Sequence, residues 1–344
     1  MVLNQTASTP RAVDTVATSV VAFVGRATQG PVETAVPVAS LTEFESVFGP
    51  VVPDCSLGAS VRDFFTNGGR CAVVVCLFAQ GAVDDPAGAP LTASDIVGAG
   101  RKASAAGLYA LDTVDEINLL VIPSHAPDGS LDPIVVRAAE EYCRERHAVL
   151  LLDSPPTWTS AQDVRAAHEA GLDAVVGASG ANVALIFPRL GDGLSATGAV
   201  AGVIARTDAR TGGGWGSPAG ALLNRVPHLD VDLTSREVSA LTAAGISCLR
   251  SLPGGGRVVW SARTMDGADA AGSPWKYLSV RRTALFIEES VQRGTTRVGA
   301  EANTEQTWAQ VRSAVTAFMH SRFEAGAFPA TSMTRTRWPA ARTR

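Results

Sequence analysis

Lysine is nearly missing from this 344-residue chain: Lys102 and Lys276 are the only two, and arginine carries the rest of the positive charge. Charged residues of every kind make up only 18% of the sequence, and the net charge is −4. A chain of this balance has no overall electrostatic footprint for nucleic acid. Aromatic residues are also scarce, at 6%, so the core must be built from Val, Leu, Ile and Ala. With 46% apolar residues, the chain is nonetheless far from the composition of a disordered polymer. No apolar run reaches the length that spans a bilayer. Met1 to Pro10 is polar and lacks an apolar signal core, so the expectation is a soluble protein made in the cytoplasm, without a membrane anchor. The 33 glycines and 19 prolines follow no Gly-X-Y period, which excludes a collagen-like chain, and no repeat of solenoid length is present.

The five cysteines (Cys55, Cys71, Cys76, Cys143 and Cys248) are odd in number and lack zinc spacing. Cys71 and Cys76 bracket the run Ala-Val-Val-Val and are expected to be small buried hydrophobes. Together the cysteines suggest a reducing compartment. The five histidines lie far apart and none stands in His-Glu-x-x-His spacing, so no metal site is expected.

What is present is an alternation of short apolar runs and helix-like segments. Ser19 to Val24, Cys71 to Phe78, Ile117 to Ile122, Ala148 to Leu152 and Val183 to Phe187 predict strands. Their apolar residues are continuous rather than alternating, which implies burial on both faces. Between them, Leu41 to Phe48, Leu57 to Phe65, Pro133 to Arg146 and Ser160 to Ala170 have the composition of helices. The pattern predicts an α/β fold with a mostly parallel sheet flanked by helices.

From Arg210 to Leu222 the chain is rich in glycine and reads as a loop near a subdomain boundary. A helix follows around Ser235 to Ala244, closed by Gly245, then a turn at Pro253 to Gly256. Arg257 to Trp260 and Trp275 to Arg282 read as strands, and Ala284 to Arg293 as a helix capped by Gly294. The last clear element is an amphipathic helix that Asn303 can cap, with Gln306 completing a capping box. Its apolar stripe of Trp308, Val311, Val315, Phe318, Met319 and Phe323 suits a core or docking surface. Thr331 to Arg344 shows no periodicity; Arg335, Arg337, Arg342 and Arg344 mark it as a disordered basic tail.

Candidate chemistry is thin. In an open α/β sheet, functional groups sit beyond the carboxyl ends of strands. His125 follows the strand ending at Ile122, and Asp153 with Ser154 follows the one ending at Leu152. An α/β hydrolase or nucleotide-dependent enzyme would use a site near His125 and Asp153, but the chain has no Gly-x-Ser-x-Gly elbow. Asp153 before Ser-Pro-Pro suits a turn equally well. Two glycine clusters could cradle phosphate: Gly177 to Gly180, and Gly212, Gly213, Gly214 with Gly216. Neither carries the Lys-Ser/Thr ending of a P-loop, so both read as loops. A binding module contacting nucleic acid through Arg335 to Arg344 is a third reading. The residues therefore point to no catalytic, cofactor-binding or metal site, and to a structural or interaction role.

Four segments, in order, resemble the tail sheath proteins of contractile phages and contractile injection systems. The first is Thr18 to Gly25, with Gly30-Pro31, Val38 to Ser40, Glu43-Phe44 and Phe48-Gly49. The second is Val61 to Gly69, leading into the Cys71 strand. The third is Gly202 to Asp208 with Trp215 and Ser217 to Ala219. The fourth is Gly245-Ile246, Leu249-Arg250, Pro253-Gly254, Val259 to Thr264, Trp275 to Arg282, Phe286 to Glu288 and Ser290. The resemblance covers roughly residues 18 to 327.

It implies a structural, non-enzymatic subunit that polymerises helically around an inner tube and contracts to drive it through a target envelope. It implies a subtilisin-like but non-catalytic topology, with an α+β C-terminal sheath domain. The implied divisions are an N-terminal arm at 1–17, an α/β sheath domain at 18–225, a C-terminal sheath domain at 226–328 and a basic tail at 329–344. Implied partners are further copies of the chain, the tube protein, and baseplate and tail-terminator proteins, with no cofactor and no nucleic acid. Assembly is expected in the cytoplasm, as part of a phage tail or tail-like particle. The chain departs from the family at both ends: Met1 to Val16 matches the opening arm only loosely, and the arginine-rich tail stands where the family continues into a closing arm. Weak self-assembly in isolation is the expectation that follows.

Overall fold

The structure, a computed structural model, describes residues 13–52, 55–78, 91–125, 129–296 and 304–328. The chain forms two compact units, Ala17–Leu285 and a smaller one of Met1–Val16 with Phe286–Arg344.

In the larger unit, β1 (Val21–Gly25) and β2 (Ala35–Val38) are followed by α1 (Leu41–Phe48) and α2 (Ser56–Thr66). Then come β3 (Ala72–Cys76), α3 (Ala93–Val97), a 3-10 turn at Gly107–Thr113, β4 (Leu119–Val121) and α4 (Pro133–Glu145). β5 (Val149–Asp153), α5 (Ala161–Ala170), α6 (Leu172–Val176), β6 (Val183–Phe187) and α7 (Thr197–Thr211) continue the alternation. β7 (Leu222–Leu223), α8 (Ser235–Ala243), β8 (Ser247–Ser251) and β9 (Arg257–Val259) complete the sheet. α9 (Leu278–Thr295) crosses from the larger unit into the smaller, and α10 (Glu305–Glu324) belongs to the smaller.

The nine strands form one mixed sheet in the order β2-β3-β1-β4-β5-β6-β8-β9-β7. The six central strands from β3 to β8 pair in parallel. The outer strands β2, β9 and β7 are antiparallel to their neighbours. Strands on both sides of residue 225 share this sheet, because β8 pairs with β6 at Ile186↔Ser247 and Phe187↔Cys248.

Alternation along each strand sends side chains to two separate cores. Val21, Phe23, Val74, Leu119, Leu151 and Ile186 pack against α1, α2 and α7 on one face. Ala22, Val24, Val75, Leu120, Leu150 and Leu185 face α4, α5 and α8 on the other. Burial on both faces is why these strands read as unbroken apolar runs. The mostly parallel α/β sheet expected from the sequence is thus the observed one.

Several expectations are corrected. Trp275 to Arg282 is not a strand: only Tyr277 bridges to Arg263, and α9 begins at Leu278. The helical period there is hidden because one of its inward positions is Arg282, buried with Leu278 and Leu285. Nor does Gly294 cap that helix, which runs on to Thr295; Val13 packs where its side chain would be. α7 escapes sequence reading because Thr197 to Ala205 is buried all round and so shows no polar face. Cys76 is fully buried, but Cys71 stands just before β3 and is exposed.

α7 meets α2 through Gly198 and Gly202, four residues apart on one helix face. A Cβ on Gly198 would collide with the Ser60 carbonyl, and one on Gly202 with that of Phe64. The two helices therefore approach backbone to backbone.

In the smaller unit, the Val16 N–H donates to Ser290 Oγ (3.4 Å), and the Phe286 and Phe318 rings lie 6.1 Å apart. Thr304 caps α10 by accepting from the Thr307 N–H; Asn303, the expected cap, lies outside the described residues. Of the expected apolar stripe only Phe318 is buried, and Trp308 is exposed. The basic tail and most of the N-terminal arm also fall outside the described residues.

Candidate functional site

β3 and β4 lie on opposite sides of β1, so the crevice beyond the carboxyl ends of β1 and β4 is where an open α/β sheet takes a ligand. A cavity of about 250 Å³ opens there, lined by Gly25, Ile96, Ile122, His125, Asp132 and Val135 among others. Burial, aided by the charge of Arg26, lowers the pKa of His125 and favours the neutral imidazole. A second cavity of about 510 Å³ adjoins residues 130–132, lined also by Leu152, Asp153, Trp158 and Val176.

Asp153 lines the second cavity and His125 the first; the two linings share Ser130, Leu131 and Asp132, and neither contains both His125 and Asp153. The Asp153 carboxylate accepts from the Ala196 N–H (2.7 Å), Ser195 Oγ (2.5 Å) and Thr197 Oγ1 (3.2 Å). These are the groups at the start of α7, so Asp153 anchors a helix N-terminus and favours its dipole. Ser154 is 1% exposed and closed to substrate. Arg189, also buried, donates to the carbonyls of Gly129 (2.9 Å), Ser154 (3.2 Å) and Gly193 (3.0 Å), tying the strand-end loops together. Asp153 and Arg189 are thus engaged in holding neighbouring segments of the chain.

The glycine turns have equally internal roles. Gly177 ends α6 in the left-handed region at φ 82°, tight against Pro133. Beyond it, the N–H groups of Ser179 and Gly180 hydrogen-bond the Glu140 carboxylate of α4. The turn does cradle an anion, but one built into the chain. Burial outweighs those bonds and raises the pKa of Glu140. At the second cluster, Gly212 and Gly213 close α7 by donating to the Asp208 carbonyl (2.9 and 3.2 Å), and Trp215 folds back over Gly213.

Sequence reading missed the buried ion pair that joins three segments. Arg282 of α9 binds Asp208 of α7 with two bonds, Nη1 to Oδ1 (3.1 Å) and Nη2 to Oδ2 (2.5 Å). The same Nη2 donates to the Thr18 carbonyl at 2.6 Å, just ahead of β1. Their side chains are 4% and 2% exposed. Both residues stood inside segments of the sheath resemblance, which was the available signal; sequence separation hid the pairing. Among the described residues, no group of three or more His, Cys, Asp or Glu side chains could hold a metal ion, and no helix is long and apolar enough to cross a membrane.

No protein-family profile matches the sequence, and no curated protein matches it. Solved structures do. The helical sheath of the anti-feeding prophage, in its contracted state, aligns with a TM-score of 0.69 at 25% identity, covering 95% of this chain and 83% of that one. The PVC sheath complex of an extracellular contractile injection system, also contracted, gives 0.70 at 21% identity over 95% of this chain and 82% of that one. The sheath tail protein of Listeria innocua gives 0.61 at 12% identity, with 92% and 88% covered. This chain has the fold of contractile sheath proteins, as the four sequence segments implied.

Proposed function

We propose that this chain is a structural subunit of a contractile sheath, which polymerises around an inner tube and shortens to drive the tube through a target envelope. The observation that carries the reading is the alignment of 95% of the chain with a helical sheath at 25% identity. The polar geometry agrees with a mechanical role. Asp153 anchors a helix, Glu140 fills the glycine turn, and Asp132, which lines the cavity with His125, caps α4 through the Ile134 N–H. The chain is not an enzyme.

The finer reading follows from the resemblance. The tube protein, baseplate and tail-terminator proteins are its partners, and assembly takes place in the cytoplasm within a phage tail or tail-like particle. The topology is subtilisin-like, with residues 226–328 as the C-terminal sheath domain and residues 1–17 as an arm that adds a strand to a neighbour's sheet. A contact that does not close on itself generates a helix of subunits, and contraction is a transition between two packings of that helix.

Co-expression with the neighbouring tube protein, followed by electron microscopy, tests the reading. Tubes sheathed in long narrow and short wide forms are expected. Bare tubes, with this chain left in solution, would overturn it, as would turnover of a small molecule abolished by Asp153→Ala.

A further inference from the structure

Asn67 is the one asparagine of the chain that a glycine follows, in the run Asn67-Gly68-Gly69. An Asn-Gly pair is the context most prone to lose its side-chain amide, because glycine leaves the attacking backbone nitrogen unhindered. Asn67 stands at the end of α2 and is 1% exposed.

The groups that the reaction needs are all engaged. Asn67 Oδ1 accepts from the Asn224 N–H (2.7 Å), and Nδ2 donates to the carbonyls of Asp63 (2.9 Å) and Asn224 (3.4 Å). The Gly68 nitrogen, which would attack, donates its proton to the Phe65 carbonyl (3.2 Å). Ring closure requires that nitrogen and the Asn67 Cβ to eclipse about the Cα–C bond, and a ψ of 5° holds them well apart. Gly202 of α7 packs close: a Cβ there would lie 2.7 Å from that of Asn67.

One side of this shield is lightly held. Asn224 directly follows β7, a two-residue strand at the outer edge of the sheet. Leu222 is 53% exposed, and Arg225 takes a φ of 55°, a strained conformation for a residue with a side chain. The segment is kept in place by the buried Leu223 and by Arg206 Nη2, which donates to the Leu222 carbonyl. A short edge element of this kind opens locally at a fraction of the cost of global unfolding.

We propose that Asn67 is a latent deamidation site, shielded by residues 222–224, and that detachment of this edge segment commits it to aspartate or isoaspartate. In the open state the Gly68 nitrogen gives its proton to hydroxide and attacks the Asn67 Cγ. The Cγ–Nδ2 bond breaks and ammonia leaves, forming a succinimide. Water then opens the ring at either carbonyl, so that the net change consumes water and releases ammonia. Neither product fits the closed site. A carboxylate oxygen in place of Nδ2 faces the Asp63 and Asn224 carbonyls, acceptor against acceptor in a buried place. Isoaspartate lengthens the backbone by a methylene where there is no slack: a Cβ on Gly69 would lie 2.4 Å from the Phe64 ring, and one on Gly68 2.7 Å from Arg206 Cβ. The modification therefore records an opening irreversibly. This inference stands apart from the sheath reading.

Peptide mapping of the full chain after incubation at mildly alkaline pH tests it. Trypsin releases Asp63 to Arg70, in which conversion shows as the mass gain from amide to acid. The chain unfolded in urea is expected to convert quickly, and the native chain far more slowly. Leu223→Ala, which removes the apolar anchor of β7, should raise the native rate about tenfold. Val164→Ala, in the core on the other face of the sheet, lowers global stability and should leave the native rate unchanged. Converted native protein, separated by its added negative charge, should exchange the amide hydrogens of residues 222–224 faster than the unconverted chain.

Equal rates in the native and unfolded chain, or no conversion in urea, overturn the proposal. So does a Leu223→Ala rate equal to that of the wild type or of Val164→Ala, because the opening would then not be local. Unchanged exchange at 222–224 in the converted protein overturns the claim that the site cannot close again. If Leu223→Ala fails to fold, Arg206→Ala, which frees the Leu222 carbonyl, takes its place, and a native rate no faster than the wild type's is the overturning result.

Discussion

Arg282 is costly to bury alone and is held by its three bonds to Asp208 and Thr18. Breaking a buried pair strands a charge, so Asp208→Ala should lower unfolding free energy by about 3–5 kcal/mol in urea. Replacing both partners with apolar residues, Arg282→Met with Asp208→Leu, should restore most of that loss. A second residue-scale prediction concerns pH. Asp163 closes the capping box of α5 on Ser160, and those bonds hold its pKa below 3.8. A carboxyl lowered on folding stabilises the protein above its unfolded pKa, and the effect is lost as pH falls through the folded one. In urea titrations the deficit of Asp163→Asn should therefore be full at pH 7 and shrink as pH falls below the ordinary aspartate range. Glu140 has the opposite sign, because burial raises its pKa: its contribution weakens as pH rises through that raised value.

Among the elements, the α2–α7 crossing is the most exacting. Gly202→Ala must push a methyl group into the Phe64 carbonyl, and relief requires two buried helices to separate. A loss of about 1–3 kcal/mol is expected in thermal or urea unfolding, where the same change in an exposed helix would stabilise. Gly254, with open space around it, is the control. This crossing also shows where sequence reading ends. β6 was legible to the residue, and α1 too, because an apolar run or a capped amphipathic segment announces itself locally. β2 was not, since its partly exposed Ala-Val-Pro-Val carries a proline and takes its strand form from pairing with β3. α7 and the start of α9 were lost for a shared reason: their burial is complete or ion-paired, and a period needs polar contrast to be seen. At the strand ends, the positions of His125 and Asp153 were legible, but the duty of Asp153 was not. Its partners Ser195 to Thr197 lie more than forty residues on.

On the larger scale, the sheet of the larger unit carries a core on each face and provides a stiff body. Stiffness of that kind suits a part whose output is position. The Glu140 carboxylate in the Ser179–Gly180 turn adds a further trait. Glu140→Ala should vacate an anion seat, so millimolar phosphate should raise the melting temperature of that variant and leave the wild type unchanged. The native chain brings its own occupant, and ATP or free phosphate finds that seat taken. The loop after α6 is thereby clasped to α4 from within the chain, and its geometry is independent of whatever anions the surrounding solution holds.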